Sequence, residues 1–125
     1  MAALKPRRKA RRKNEETALS AAIQQTLTAK GCRVIRINSG LVEAKNGGWI
    51  HGAKKGTPDL LVILPMLSRS RLQAAELTFL EVKKKAGVQS ADQVEWSEWA
   101  RLNGVRSFVV RGVTEAISAV FKSEV

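Results

Sequence analysis

The sequence predicts an α/β domain, a mixed β-sheet flanked by helices on both faces, with elements in the order α-β-β-β-α-β-α. Three observations carry that expectation. Leu60–Leu64 is apolar at every position, the pattern of a strand covered on both faces. Leu19, Ile23 and Leu27 recur four apart, as on one face of a helix. Lys30-Gly31 and Asn103-Gly104 stand where helices should stop, each just ahead of a β-branched run.

Residues 1–13 hold Lys5, Arg7, Arg8, Lys9, Arg11, Arg12 and Lys13, include a proline and show no hydrophobic period. They are expected to form a flexible basic arm, either a solubilising terminus or a contributor to nucleic-acid affinity. A helix is expected over 15–30, then a strand over 32–37. Asn38-Ser39-Gly40 ends that strand, and a long loop rich in glycine and lysine runs to Gly56. Pro65 stops the Leu60–Leu64 strand. After a variable basic connection a third strand is expected over 77–83. Ser90 opens a helix closing near Asn103, a fourth strand covers 105–110, and Thr114 can cap a last helix ending near Phe121. No internal repeat is present.

A chain of 125 residues with 44% apolar content is one domain able to bury a core without staples. Its 22 Lys and Arg against 11 Asp and Glu give a formal charge of +11. Such an excess predicts a polyanionic partner, nucleic acid before an anionic membrane surface. Removing the seven arm cations still leaves about +4. The single Cys32 excludes an internal disulfide and a cysteine-rich zinc site, and fits a reducing compartment. The longest apolar stretch, 60–67, is too short to span a bilayer, and the basic N-terminus lacks the apolar segment of a secretory signal. A cytoplasmic location is therefore expected. With no tyrosine and only His51, phosphotyrosine-linked and two-histidine phosphodiester chemistries are excluded.

The remaining route uses carboxylates, a metal and lysine. Asp59 stands at the head of the Leu60–Leu64 run, and Glu81-Val82-Lys83 begins seventeen residues after Leu64. On a strand, Phe79, Glu81 and Lys83 share one face while Leu80 and Val82 take the other. Glu81 and Lys83 thus project together, roughly 7 Å apart, whereas Glu76 has the opposite parity. Two hard oxygen donors and a cation on rigid strands are what a divalent-metal phosphodiester site requires. The competing reading of Glu-x-Lys alone is a surface ion pair on an edge strand. The Pro-Asp strand before it favours the site, since a carboxylate and an ammonium buried side by side need a partner.

Gly56-Thr57-Pro58-Asp59 followed by Glu81-Val82-Lys83 resembles the PD-(D/E)XK nuclease superfamily signature. With Gln93, Trp96, Gly104 and Val109-Val110-Arg111 in the same order, the chain resembles the small stand-alone VRR-NUC domains of bacteria and phages over about 15–121. Pro-Asp with Glu-x-Lys alone is weakly specific; the full order is considerably more so. The resemblance implies a restriction-endonuclease-like core over 14–125. It implies Mg²⁺ or Mn²⁺ held by Asp59, Glu81 and the Val82 backbone carbonyl, with Lys83 orienting or deprotonating the attacking water. Gln93 would lie near the metal, and a glutamate early on the first helix, Glu16, would reach towards it. The implied activity is DNA phosphodiester hydrolysis in a bacterial or phage-infected cell, structure-specific on branched DNA such as Holliday junctions. Two symmetric cuts in such a junction imply a homodimer. The alternatives are a restriction-like or general DNA nuclease, and a catalytically silent nucleic-acid-binding protein.

Several assignments stay open at this level. Ser90-Ala91-Asp92-Gln93 also fits a capping box, in which Gln93 serves the helix start. Glu15 and Glu16 both suit the first turn of a helix, and Ser20 stands where the family has a further glutamine. Ser39, Lys45, His51, Lys54 and Lys55 in the long loop, with Lys84 after the third strand, are candidate nucleic-acid contacts. His51 reads as a loop residue or DNA contact before a metal ligand. Trp96 and Trp99 are expected in the core, with Asp92, Glu95 and Glu98 on a solvated face.

Overall fold

The long apolar run forms the strand β4 (Leu60–Leu64), which pairs on both sides, with β1 (Arg33–Arg36) and β5 (Glu76–Val82). The computed structural model describes residues 5–38, 41–66 and 74–121, with side chains described at 15–38, 44–50, 52–66 and 74–121. β6 (Ser107–Val110) completes a four-stranded sheet in the order β1-β4-β5-β6. β1–β4 and β4–β5 are antiparallel and β5–β6 is parallel, so the sheet is mixed. Parallel neighbours need a crossover, and α2 (Ala91–Leu102) provides it.

Helices α1 (Lys5–Ala29) and α3 (Val113–Phe121) cover one face of the sheet. Ile23 and Leu27 of α1 pack with Leu60, Val62, Leu80, Val82 and Val110 of the sheet and Ala116 and Val120 of α3, all buried. Each large aliphatic side chain buried this way contributes roughly 1.5–3 kcal/mol. Arg106 ties this layer together, donating from Nε to the buried Thr78 hydroxyl at 3.0 Å and from its guanidinium to the Ala119 carbonyl of α3. The opposite face belongs to α2. Trp96 meets Phe79 edge-on at 5.2 Å and donates its indole N–H to the Ser107 hydroxyl at 3.1 Å.

Leu60, Val62 and Leu64 are fully buried, but Leu61 and Ile63 are only half-buried. The uniformly apolar run implied equal cover on both faces. The single 12-residue α2 is too short to provide it.

Four local differences from the expected elements have physical causes. α1 begins at Lys5, taking in most of the segment expected as an arm. Lysine, arginine and alanine are strong helix formers without needing an apolar period, and proline is tolerated in a first turn. The segment expected as one long loop contains a hairpin, β2 (Leu41–Glu43) with β3 (Trp49–His51), closed by an Ala44–Gly48 backbone contact of 2.7 Å. β6 starts at Ser107 rather than at 105. Thr114 lies inside α3 and is not its cap; Glu115 reaches back to accept the Arg111 N–H at 2.6 Å. Among the described residues no helix is long and apolar enough to cross a membrane.

Candidate active site

Gly56 determines how the chain enters β4. Its φ is +96°, and a Cβ there would stand 2.4 Å from the Asp92 carbonyl oxygen. Glycine alone meets both demands, and the contact draws the turn before β4 against the start of α2. Thr57 closes this turn, with its N–H and its hydroxyl both donating to the Lys54 carbonyl at 3.0 and 2.6 Å. Pro58, fully buried, sets the chain towards extended geometry.

Asp59 is then held from two sides. Its carbonyl accepts the Ile37 N–H at 2.7 Å, and its carboxylate Oδ2 accepts the Val82 N–H at 2.8 Å. The pairing Leu60↔Leu80, carried one step further, sets Asp59 opposite Glu81. Glu81 is 4% exposed, and its Oε1 is buried with no hydrogen-bond partner. Burial first, then a hydrogen bond with the Asp59 carboxyl and its charge, pushes the Glu81 carboxyl far above the ordinary carboxylate range; Lys83 opposes the shift and Glu16 adds to it. Two acids share one confined space, with a cation and a third acid beside them.

The first-helix acids separate cleanly. Glu15 pairs with Lys84 at 3.2 Å, while the charge of Glu16 is felt at the Glu81 carboxyl. A Cβ on Gly87 would stand 3.4 Å from both Glu16 Oε1 and Lys83 Cβ, so acid and lysine approach the same turn. Arg111 fixes that turn, donating to the carbonyls of Lys84 and Gly87 at 2.9 and 2.7 Å. Sequence reasoning gave no role to Gly87 and none beyond family context to Arg111; the glycine closing Lys83-Lys84-Lys85-Ala86 was the available signal.

The structure thus brings together Asp59, Glu81, Lys83 and Glu16, with Val82 touching the group through its N–H. Gln93 forms the capping box: its Oε1 accepts the Ser90 N–H at 2.8 Å, and the Ser90 hydroxyl accepts the Gln93 N–H at 3.2 Å. Lys84 is engaged by Glu15 rather than free. Lys45, Lys54 and Lys55 are exposed, Lys55 standing 3.6 Å from Asp92. Ser39 lies outside the described residues, and so does the side chain of His51, whose backbone belongs to β3. Glu95 and Glu98 are exposed and Asp92 is half-buried. Glu98 binds Arg101 at 2.6 Å, which lowers its carboxyl below the usual range. Trp96 packs on the sheet, but Trp99 remains 51% exposed.

Whether this group suits a metal can be judged from the donors. Among the described residues no three Asp, Glu, His or Cys side chains stand close enough together to hold a metal ion by themselves. Asp59 and Glu81 supply two hard oxygen donors, and the remainder of a hexacoordinate shell would fall to backbone and water, as Mg²⁺ tolerates. A buried carboxylate oxygen without a partner is costly unless a proton or cation satisfies it. The donor set fits a hard divalent ion.

The sequence matches no family model and no curated protein. A solved structure described as a VRR_NUC domain aligns with a TM-score of 0.56 and 24% identity, covering 81% of this chain and 88% of that one. The fold is that of a VRR_NUC domain. The VRR_NUC fold accounts for the restriction-endonuclease-like arrangement found here, a mixed sheet with helices on both faces. Within this VRR_NUC fold, Asp59 heads one central strand and Glu81 nears the end of its neighbour.

Proposed function

We propose that this VRR_NUC-fold domain is a metal-dependent nuclease hydrolysing DNA phosphodiester bonds at Asp59, Glu81 and Lys83. The observation that carries the reading is the buried Glu81, with an unpartnered oxygen, set against the half-buried Asp59 carboxyl. Asp59, Glu81 and the Val82 carbonyl would hold Mg²⁺ or Mn²⁺, with Glu16 behind them. When bound, the ion supplies Lewis-acid polarisation of the phosphate and acidifies a water.

The chain's own residues do the rest. Glu81 would supply a carboxyl oxygen that no protein group satisfies. Asp59 keeps one oxygen on the Val82 N–H and so presents the other in a fixed direction. Lys83 orients the attacking water and offsets charge growing on the phosphate. Gln93, its carbonyl oxygen spent on the cap, has its amide N–H groups left for a site role. Lys45, Lys54 and Lys55, with Ser39 and His51, would contact flanking phosphates.

Within this class we favour structure-specific cleavage of branched DNA, including four-way junctions, by a homodimer. The support is the +11 charge on a chain of one domain size, together with the VRR_NUC fold. The test is cleavage of single-stranded, linear, flap and four-way substrates with Mg²⁺ or Mn²⁺, alongside gel filtration. Preferential cutting of branched substrates by a dimer is expected. Intact junctions with linear duplex cut at a defined sequence would replace it with a restriction-like nuclease, and binding without any cleavage with a silent DNA-binding protein.

A further inference from the structure

A cleft of about 220 Å³ opens between the turn that leads into Asp59 and the start of α2, lined by Lys54, Lys55, Thr57, Asp92, Glu95, Trp96 and Trp99. We infer that it is a nucleobase pocket, taking one unpaired base from the strand whose phosphate lies at Asp59 and Glu81. The inference rests on the nuclease reading only for where that phosphate sits.

Trp99 is the first reason. Half of this large ring faces solvent, although tryptophan favours burial. It also has an aromatic neighbour. Trp96, 5.5 Å away, is pinned by Phe79 and by the Ser107 hydroxyl, so Trp99 stands against a fixed ring and the two form one aromatic wall. Rigid indoles stack on any base at small cost in conformational entropy.

Charge in the cleft selects the occupant. Lys54 and Lys55 attract a nucleic-acid backbone. Lys55 also stands 3.6 Å from Asp92, so the two lysines and the acids Asp92 and Glu95 nearly cancel and the lining as a whole offers no excess positive charge to a phosphate. The group that suits two indoles and two carboxylate acceptors is a neutral ring bearing an amino group, as cytosine, adenine and guanine do and thymine does not. The volume is below that of drug-sized pockets, leaving room for a single ring system.

Position links the cleft to the acids. Thr57 lines it, and Asp59 follows two residues later, roughly 7 Å along an extended chain. Gly56 packs directly on the Asp92 backbone, so cleft and acids share one rigid turn. A base stacked within a duplex cannot enter; an unpaired or extruded one can.

The experiment measures binding with chelator present, so that cleavage plays no part. Labelled single-stranded oligonucleotides, each with one abasic position, are titrated with wild type, Trp99→Ala and Trp99→Phe. One abasic position is expected to weaken wild-type binding on the order of tenfold. Trp99→Ala should lose that sensitivity and Trp99→Phe should keep it; thymine at that position should bind more weakly than cytosine. Equal abasic sensitivity in wild type and Trp99→Ala overturns the pocket. So does a Trp99→Ala change confined to oligomeric state in gel filtration, which would make this face a contact between copies. Equal binding of thymine and cytosine overturns the part given to Asp92 and Glu95. Because binding is read without metal, a failure here leaves the nuclease reading standing, and an inactive wild type leaves the stacking result standing.

Discussion

Asp59 stands opposite Glu81 where β4 and β5 part, and the two carboxyls are treated unequally. Asp59 Oδ2 takes the Val82 N–H at 2.8 Å, while Glu81 Oε1 is buried with nothing to bind. Backbone geometry satisfies one acid and leaves its neighbour in need of a proton or a cation.

That imbalance makes the metal-free protein sensitive to pH. The Glu81 carboxyl is pushed up to about 9 by burial and by Asp59, whereas an unfolded glutamate titrates near roughly 4.3. Between these values the fold binds more protons than the unfolded chain, so its stability falls as pH rises. The contribution is full below the unfolded value and is lost towards the folded one. Thermal unfolding in chelator should give a lower Tm at pH 8 than at pH 5, and Mn²⁺ should restore it at pH 8. Glu81→Gln should flatten the dependence; an unchanged slope in that variant would assign it elsewhere.

Glu15 and Glu16 should behave differently despite adjacency. Glu15, 57% exposed, pairs with a half-buried Lys84, and pairs open to solvent on one side contribute about 1 kcal/mol. Glu15→Gln should leave cleavage within about twofold, since nothing ties Glu15 to the acids. Glu16→Gln should reduce cleavage at least about tenfold and weaken Mn²⁺ binding, because it removes a negative charge that acts at the site and would attract a divalent cation. Steady-state cleavage against metal concentration for both variants checks the contrast.

Gln93 can be divided between its two roles by choice of replacement. Gln93→Ala removes one arm of the capping box and should cost about 1 kcal/mol in urea unfolding. Gln93→Glu retains a capping-box acceptor and should keep that stability. If the Gln93 amide also serves the site, Gln93→Glu should still lose activity; full activity would confine Gln93 to the cap.

Much of the site was legible because strands have a period of two. Parity alone grouped Glu81 with Lys83 and excluded Glu76, and the uniform Leu60–Leu64 run located the neighbouring strand. Ser90 and Gln93 announced their cap by spacing. The β2–β3 hairpin left no such trace, since Trp49 and Ile50 are exposed in a glycine-rich stretch without alternating burial. The early start of α1 was hidden because its first residues are cations that need no apolar stripe. Trp99 misled for the opposite reason: its chemistry predicts a core, and only packing reveals that Trp96 already fills the space above Phe79.

The turn before β4 offers a prediction about the fold rather than the chemistry. Gly56→Ala meets both a φ of +96° and a Cβ position 2.4 Å from backbone. It should destabilise the domain by at least about 2 kcal/mol, read from the urea midpoint. Gly31→Ala, which has a similar φ of +98° but open space around it, should cost less.

Metal-dependent cleavage by wild type beside Asp59→Ala tests the central claim most directly, with DNA binding measured on the same samples. Product should form with Mg²⁺ or Mn²⁺, and none in chelator. Asp59→Ala should give no product, while its DNA binding should be retained or strengthened as repulsion of phosphate is relieved. Cleavage that persists in chelator, or in Asp59→Ala, would contradict that claim.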